Sequence, residues 1–271
     1  MSTPMLHAVT SGESGPRVAF CHGLFGQGRN WTQIAKGLAD ICRPTLLDMP
    51  DHGRSPWTER FDYVEAAGLV ARTLREIDPN EPWIVVGHSM GGMTVMALAQ
   101  VAPGLFAERV RGAALVGTAA HLGTRRPVPG EGIAMAVLGR LPASARGLPT
   151  TARLTAANLF GPDPDPAAVR ATGRLTSRTR ANVVADWHRA IGELDFREHL
   201  APFAGVRTVV LTGARDRLTP VSAGRRLAAG IPGAQFWSLP GVGHMITYEA
   251  TAFVADKIEL LLDAEPARQG V

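Results

Sequence analysis

Trp83-Ile-Val-Val-Gly-His-Ser-Met-Gly-Gly92 decides the fold. Four apolar residues run without a break, as in a strand buried on both faces. A serine follows between two glycines, and Met90 to Val101 then has the composition of a helix. The order is strand, tight turn, helix, with Ser89 at the apex. The Gly-x-Ser-x-Gly elbow needs that context, because its turn is too tight for flanking side chains and its strain lifts the serine oxygen off the sheet edge. The next helix aims its N-terminus, and the Met90 N–H, at the same point. The bland alternative is a glycine-rich turn with a bystander serine.

The same rhythm extends outward in both directions. Arg17-Val-Ala-Phe-Cys21, Pro44-Thr-Leu-Leu47, Arg109 to Val116, Arg207-Thr-Val-Val-Leu-Thr212 and Gln235 to Leu239 read as further strands. Asn30-Trp-Thr-Gln33 reads as a capping box that opens a helix through Ala39. Asp62-Tyr-Val-Glu65 caps another, which Asp78-Pro79-Asn80 breaks after Ile77. The helix from Met90 is stopped by Pro103, and two more are expected from about Pro220 and from about Ile246 to Leu262. The tail after Glu265 is expected to fray. Continuous apolar strands alternating with helices predict an α/β fold, a mostly parallel central sheet with helices on both faces.

The strand rhythm stops between Thr118 and Leu200. Arg125-Arg-Pro-Val-Pro-Gly130, Leu148-Pro149 and Gly161-Pro-Asp-Pro-Asp-Pro166 separate helical stretches there, one of them carrying Val183, Val184, Trp187 and Ile191 at helical spacing. The expected organisation is a core of residues 1–117 and 201–271 with a helical cap, or lid, at residues 118–200.

Composition bounds the function classes. The 45% hydrophobic and 19% charged residues are those of a globular protein, and no apolar run reaches membrane-spanning length. Met1 to Gly15 is polar, without the apolar stretch of a secretory signal, so the cytoplasm is the expected location. Cys21 and Cys42 are too few for a zinc site and read as buried small hydrophobes, not a disulfide. Cys21 adjoins His22, so a thiol reagent that reached it would disturb the site indirectly. The net charge of +4 raises the question of nucleic acid. Arginines are spread thinly, and the densest pair, Arg125-Arg126, has no aromatic neighbours, which argues against it. No His/Cys/Asp cluster has metal-ligand spacing, and no glycine-rich phosphate loop occurs.

A serine hydroxyl needs an imidazole to take its proton. Of the eight histidines, His7 falls in an edge strand, His121, His188 and His199 in or beside the insertion, and His22, His52 and His88 inside loop motifs. His244, in Gly241-Val-Gly-His244, follows the last strand and is the candidate base. Asp216, in Gly213-Ala-Arg-Asp216, follows the preceding strand and is the candidate to orient it, with capping of the next helix as its bland alternative. Asp48 is the fallback, but it precedes Ser89 in the chain. Acyl transfer also needs two donors for the oxyanion: Met90 N–H, and Leu24 N–H from the loop His22-Gly-Leu-Phe-Gly26. Phe25, His88, Leu154, Leu159, Phe160, Val183 and Trp187 are candidates for the substrate pocket, although cap–core packing explains the cap residues equally well.

Together His22-Gly23, Asp48-Met-Pro-Asp-His-Gly-Arg-Ser55, Gly87-His-Ser-Met-Gly91, Gly213-Ala-Arg-Asp216 and Gly241-Val-Gly-His244 resemble the α/β-hydrolase superfamily, in particular its small capped serine esterases, the bacterial carboxylesterases. Asp51 stands where the family's loop usually has glycine. The resemblance implies the α/β-hydrolase fold, a mobile helical cap, and neither metal nor organic cofactor. It implies a small-molecule ester or thioester as substrate, and the apolar bias of the candidate pocket residues points to a small to medium apolar one. Serine at the elbow excludes the epoxide hydrolases and haloalkane dehalogenases, which use aspartate there. Three readings share the scaffold: a cofactor-free perhydrolase of the haloperoxidase kind, a carbon–carbon bond hydrolase, and a ligand-binding receptor.

Overall fold

In the computed structural model, residues 4–58, 62–122, 131–142, 144–146 and 151–262 are described. Among them, β1 (Ala8–Thr10), β2 (Arg17–Cys21), β3 (Arg43–Leu47), β4 (Trp83–His88), β5 (Val110–Val116), β6 (Arg207–Gly213) and β7 (Gln235–Leu239) form one sheet. The order is β1-β3-β2-β4-β5-β6-β7, and every pairing but β1 with β3 is parallel. The helices are α1 (Thr32–Leu38), α2 (Tyr63–Ile77), α3 (Met90–Val101), α4 (Pro103–Arg109), α5 (Glu131–Arg140), α6 (Ala152–Leu159), α7 (Pro166–Arg178), α8 (Ala181–Gly192), α9 (Val221–Ala229), α10 (Ile246–Glu249) and α11 (Thr251–Leu262).

The unbroken apolar strands resolve into two faces because successive side chains point opposite ways. Val18, Phe20, Ile84, Val86, Ala114, Val116, Val209 and Leu211 face Trp31, Ile34 and Leu38 around α1 and Val254, Ile258 and Leu261 of α11. Ala19, Cys21, Val85, Ala113, Leu115 and Val210 face Leu69, Val70 and Leu74 of α2, Met93 and Met96 of α3, and Leu227 of α9. Each fully buried side chain of this size contributes about 1.5–3 kcal/mol relative to exposure. No single helix among the described residues is long and apolar enough to cross a membrane.

Several local expectations need correction. The Asn30–Gln33 box does not form. A 3₁₀ turn, Gly28–Trp31, starts earlier, and its reciprocal cap joins Gln27 to Asn30. Pro103 does not merely stop α3. It occupies the first turn of α4, where its missing N–H costs nothing. The last helix is two, α10 and α11, parted at Ala250. By contrast, Asp62 caps α2 as expected, accepting the Glu65 N–H at 2.7 Å. Both cysteines are buried and free. Burial pushes the Cys21 thiol up to about 12 and the Cys42 thiol up to about 11, so neither forms thiolate near neutral pH. With both thiols buried, native protein should resist a thiol reagent such as DTNB. Two equivalents should react only after addition of guanidinium; fast labelling in buffer would refute this.

The chain steps from β2 outward to β3 and then crosses back to β4 on the other side of β2, so the strand order reverses between β2 and β4. In open α/β sheets the crevice beyond the carboxyl ends at such a switch point is where ligands bind. The loop after β2 carries Leu24, and the loop after β4 carries Ser89. Between β5 and β6 the chain makes a long excursion that contains α5 to α8. Among the described residues of that excursion the only strand-like pairing is an isolated bridge, Arg146 with Arg180.

Candidate active site

Ser89 joins β4 to α3 with φ 52 and ψ −118, a conformation that L residues rarely adopt. The flanking glycines are obligatory. A Cβ on Gly87 would lie 2.5 Å from the Gly91 carbonyl oxygen, and one on Gly91 would lie 2.2 Å from that of Cys21. The turn is thus clamped between its own two ends and the end of β2. The Ser89 N–H donates to Val116 on β5 at 2.9 Å, and its carbonyl accepts the Thr118 hydroxyl at 2.8 Å. The Ser89 hydroxyl itself has no hydrogen-bond partner among the described residues.

Gly23 brings the β2 loop against this elbow. A Cβ there would stand 3.1 Å from the Ser89 Cβ. The loop closes with the Gly26 N–H on the Gly23 carbonyl at 2.9 Å, and Phe25 takes φ 65. His22 holds it in place. Its Nε2 accepts the Met49 N–H at 2.9 Å, so the ring proton is on Nδ1, which donates to the Gly23 carbonyl at 2.7 Å. Burial, with His52 nearby, keeps His22 neutral by lowering its pKa well below the ordinary value. Among the described residues neither the Leu24 nor the Met90 N–H donates to a protein group, which leaves two free donors beside Ser89.

His244 and Asp216 meet as expected from two different loops. His244 Nδ1 donates to Asp216 Oδ2 at 2.8 Å, and both residues are buried. Burial raises the Asp216 pKa, but the His244 charge, the hydrogen bond from His244 and those from Thr219 outweigh it, so the net shift is downward. Asp216 also serves its own turn, accepting the Leu218 and Thr219 N–H groups at 2.8 Å each. Thr219 was not legible as a site residue. Its hydroxyl donates to Asp216 Oδ2 at 2.6 Å and lies 3.3 Å from His244 Nδ1. Its place in the turn after Asp216 was the available signal, since an aspartate side chain commonly bonds the backbone of the turn that follows it.

His88 supports His244 and does not present itself to an open pocket. Its Nε2 donates to the His244 carbonyl at 2.8 Å, and the two rings lie 4.9 Å apart. Burial, helped by the neighbouring His244, lowers the His88 pKa to about 3, so it adds no competing positive charge. Asp48, the fallback acid, is engaged elsewhere. It accepts the Gly28 N–H at 2.8 Å, the Arg54 N–H at 2.9 Å and a contact from His7 at 3.2 Å. Asp51, in the place of the family's glycine, takes φ 64 and offsets that strain by accepting the Thr58 N–H and hydroxyl at 2.7 and 2.9 Å.

The candidate pocket residues fall into separate environments. Val183 and Trp187 of α8 are buried in the main core, Trp187 edge-on to Tyr63 at 5.4 Å, with no exposed surface for a ligand in this conformation. Leu154 is exposed on α6. Leu159 and Phe160 pack against Met245, the neighbour of His244. Leu24 and Phe25 are half-buried. Two surface clefts, of about 110 and 410 Å³, involve neither Ser89, Asp216 nor His244. No group of three or more His, Cys, Asp or Glu among the described residues could hold a metal ion.

Comparison with known proteins adds the family. The chain is 30% identical over 233 residues to a pimeloyl-[acyl-carrier protein] methyl ester esterase of Chromobacterium violaceum, covering 85% of this chain and 87% of that one. It is 38% identical over 108 residues to esterase Rv0045c of Mycobacterium tuberculosis, a match to 39% of this chain that spans only 35% of that relative's length. The enol-lactonase of Burkholderia xenovorans superposes with a TM-score of 0.81 over 96% of both chains at 24% identity, a likeness of fold. Residues 16–251 match the alpha/beta hydrolase fold family, and the chain belongs to it.

Proposed function

We propose that this esterase-type hydrolase cleaves a carboxylic ester or thioester of a small to medium apolar substrate through an acyl-enzyme on Ser89. The observation that carries the reading is the strained Ser89 turn with two unused N–H donors beside it, at the sheet edge that also bears the His244–Asp216 pair. Ser89 Oγ attacks the carbonyl carbon while His244 Nε2 takes its proton. Leu24 and Met90 N–H receive the oxyanion, and Asp216 holds the imidazolium. The tetrahedral intermediate expels the alcohol or thiol, which leaves with the proton from His244. Water, activated by the same nitrogen, then releases the acid and restores Ser89. The excursion between β5 and β6 acts as the cap that shapes the pocket. No metal or organic cofactor enters these steps, and the cytoplasm is where we place them. The esterase names of the two sequence relatives support an ester over a carbon–carbon bond.

Hydrolysis of p-nitrophenyl esters from acetate to laurate tests this. Turnover with an optimum at one chain length is expected. No ester turnover would refute it, and two further assays would name the successor. Faster peroxide-dependent bromination would mark a perhydrolase, and cleavage of a vinylogous diketone would mark a carbon–carbon hydrolase. A large ligand-induced thermal shift with at most a single turnover would mark a receptor.

A further inference from the structure

The loop that carries His244 meets the excursion backbone to backbone. The His244 and Met245 N–H groups both donate to the Leu159 carbonyl, at 2.8 and 3.1 Å. A Cβ on Gly161 would stand 1.9 Å from the Gly241 carbonyl oxygen, and one on Gly243 would stand 2.4 Å from the Phe160 carbonyl carbon. The two segments are therefore in contact with no side chain between them. Glu249, the last residue of α10, closes the joint from the core side. Its Oε2 accepts the Gly161 N–H at 2.6 Å and the Gly243 N–H at 3.1 Å, and its Oε1 is also 3.1 Å from the Gly243 nitrogen. The loop of the orienting acid is tied to the same stretch, since Arg217 donates to the Ala157 carbonyl at 2.6 Å.

We propose that the short segment Ala157–Gly161 is a positioning element for His244, and that Glu249 is the positioning residue that clasps it to the base loop. The inference rests on the reading of His244 as general base. Each fixed point on His244 has a different owner. The ring belongs to Asp216 and the carbonyl to His88, but the N–H belongs to the excursion. Hydrogen bonds to a carboxylate are roughly twice as strong as neutral ones, so Glu249 is the strongest single link in the joint. Misplacing a catalytic group by about 1 Å can cost about 100-fold in rate. The base is therefore set for proton transfer only while residues 157–161 are seated, and substrate that props this segment open meets a mis-set imidazole.

The test compares Glu249→Gln, Glu249→Ala and Gly161→Ala with wild type, using Ser89→Ala as the reference for the reaction itself. The readouts are kcat, KM, the rate of fluorophosphonate labelling and the melting temperature. Glutamine with its oxygen in the Oε2 place still accepts from both glycines, but its NH₂ then stands where Oε1 faced the Gly243 nitrogen, so Glu249→Gln should lower kcat by only about 3- to 10-fold, less than Glu249→Ala. Glu249→Ala should lower kcat and labelling by about 10- to 100-fold with KM within about 3-fold, the size of loss that mis-setting a catalytic group produces. Gly161→Ala removes no polar group but wedges a methyl into the joint, and it should lower kcat by about 10-fold or more for the same reason. A folded Glu249→Ala with wild-type kcat overturns the proposal, as does a loss confined to KM. Where Glu249→Ala fails to fold, Gly161→Ala decides by the same criteria. Activity in Ser89→Ala would instead remove the reaction on which the inference stands.

Discussion

Ser89→Ala is expected to lower kcat by about 10⁴-fold or more on every ester the wild type turns over, the scale set by loss of a triad member. The substitution removes the nucleophile and little else. The Ser89 hydroxyl has no partner among the described residues, and alanine bears the same Cβ into the same positive φ, so the strain is unchanged. Thermal unfolding should be shifted by no more than a surface substitution shifts it. Parallel kinetics and melting curves would check both halves. Near-wild-type turnover by a folded Ser89→Ala would remove the acyl-enzyme reading outright, since no other group at the elbow can replace the oxygen.

Asp216→Asn should fall almost as far, by about 10⁴-fold in kcat with little change in KM, because the loss is one of tautomer and not of binding. Asp216 Oδ2 accepts from His244 Nδ1 and from the Thr219 hydroxyl. Oδ1 accepts the Leu218 and Thr219 N–H groups, so an amide turned to keep its NH₂ away from them would place it at Oδ2, facing Nδ1 with the wrong hydrogen-bonding sense. Should the amide NH₂ face Nδ1, the imidazole proton moves to Nε2, where it can no longer accept one from Ser89. Asp48→Asn is the comparison. It should weaken the Gly28–Arg54 loop and lower the melting temperature while kcat stays within about 10-fold, since the site's chemistry does not pass through it. The reverse pattern would transfer the role to Asp48. The sign of the pH effect follows from the downward shift on Asp216. Its contribution to stability is complete above the ordinary carboxylate pKa of about 3.9 and is lost as pH falls through its lower folded value. Protonation of Asp216 therefore does not set the acid limb of activity above that range.

Much of this site was legible in sequence because its signals are local. A buried strand, a glycine-flanked serine and a helix are contiguous, so Trp83 to Val101 could be read without knowing what lay beside it. Asp216 and His244 could be placed because each ends a strand of the same parallel sheet, and parallel strands bring their carboxyl ends to one edge. The misreadings are also local. Asn30 has the residue type of a helix cap, but the chain turns three residues sooner, with Gln27 at the cap, so Asn30 closes a 3₁₀ turn. Pro103 is a stop signal only if the chain does not begin another helix there. What sequence could not carry was backbone chemistry between distant segments. The Leu159 carbonyl, the Gly161 N–H and the Met49 N–H on His22 have no side-chain signature. Trp187 has the profile of a pocket aromatic, and only the tertiary fold shows it enclosed against Tyr63.

The excursion leaves the sheet after Val116 and returns at Arg207, on strands that are immediate hydrogen-bonded neighbours. Because β5 and β6 are parallel, its two roots lie at opposite ends of the pair: Arg207 is in register with Gly112, four residues before Val116, while the departing Gly117 N–H donates to the Leu211 carbonyl further along β6 at 2.7 Å. For anyone recombining this enzyme, a replacement for the excursion must therefore carry the chain back along the length of the strands. It must also supply what the native sequence gives the core: the Thr118 hydroxyl on the Ser89 carbonyl, and the packing of Val183 and Trp187. One further requirement is of the backbone alone. The incoming sequence must return a bare carbonyl to the place Leu159 now fills, or the His244 loop loses its footing.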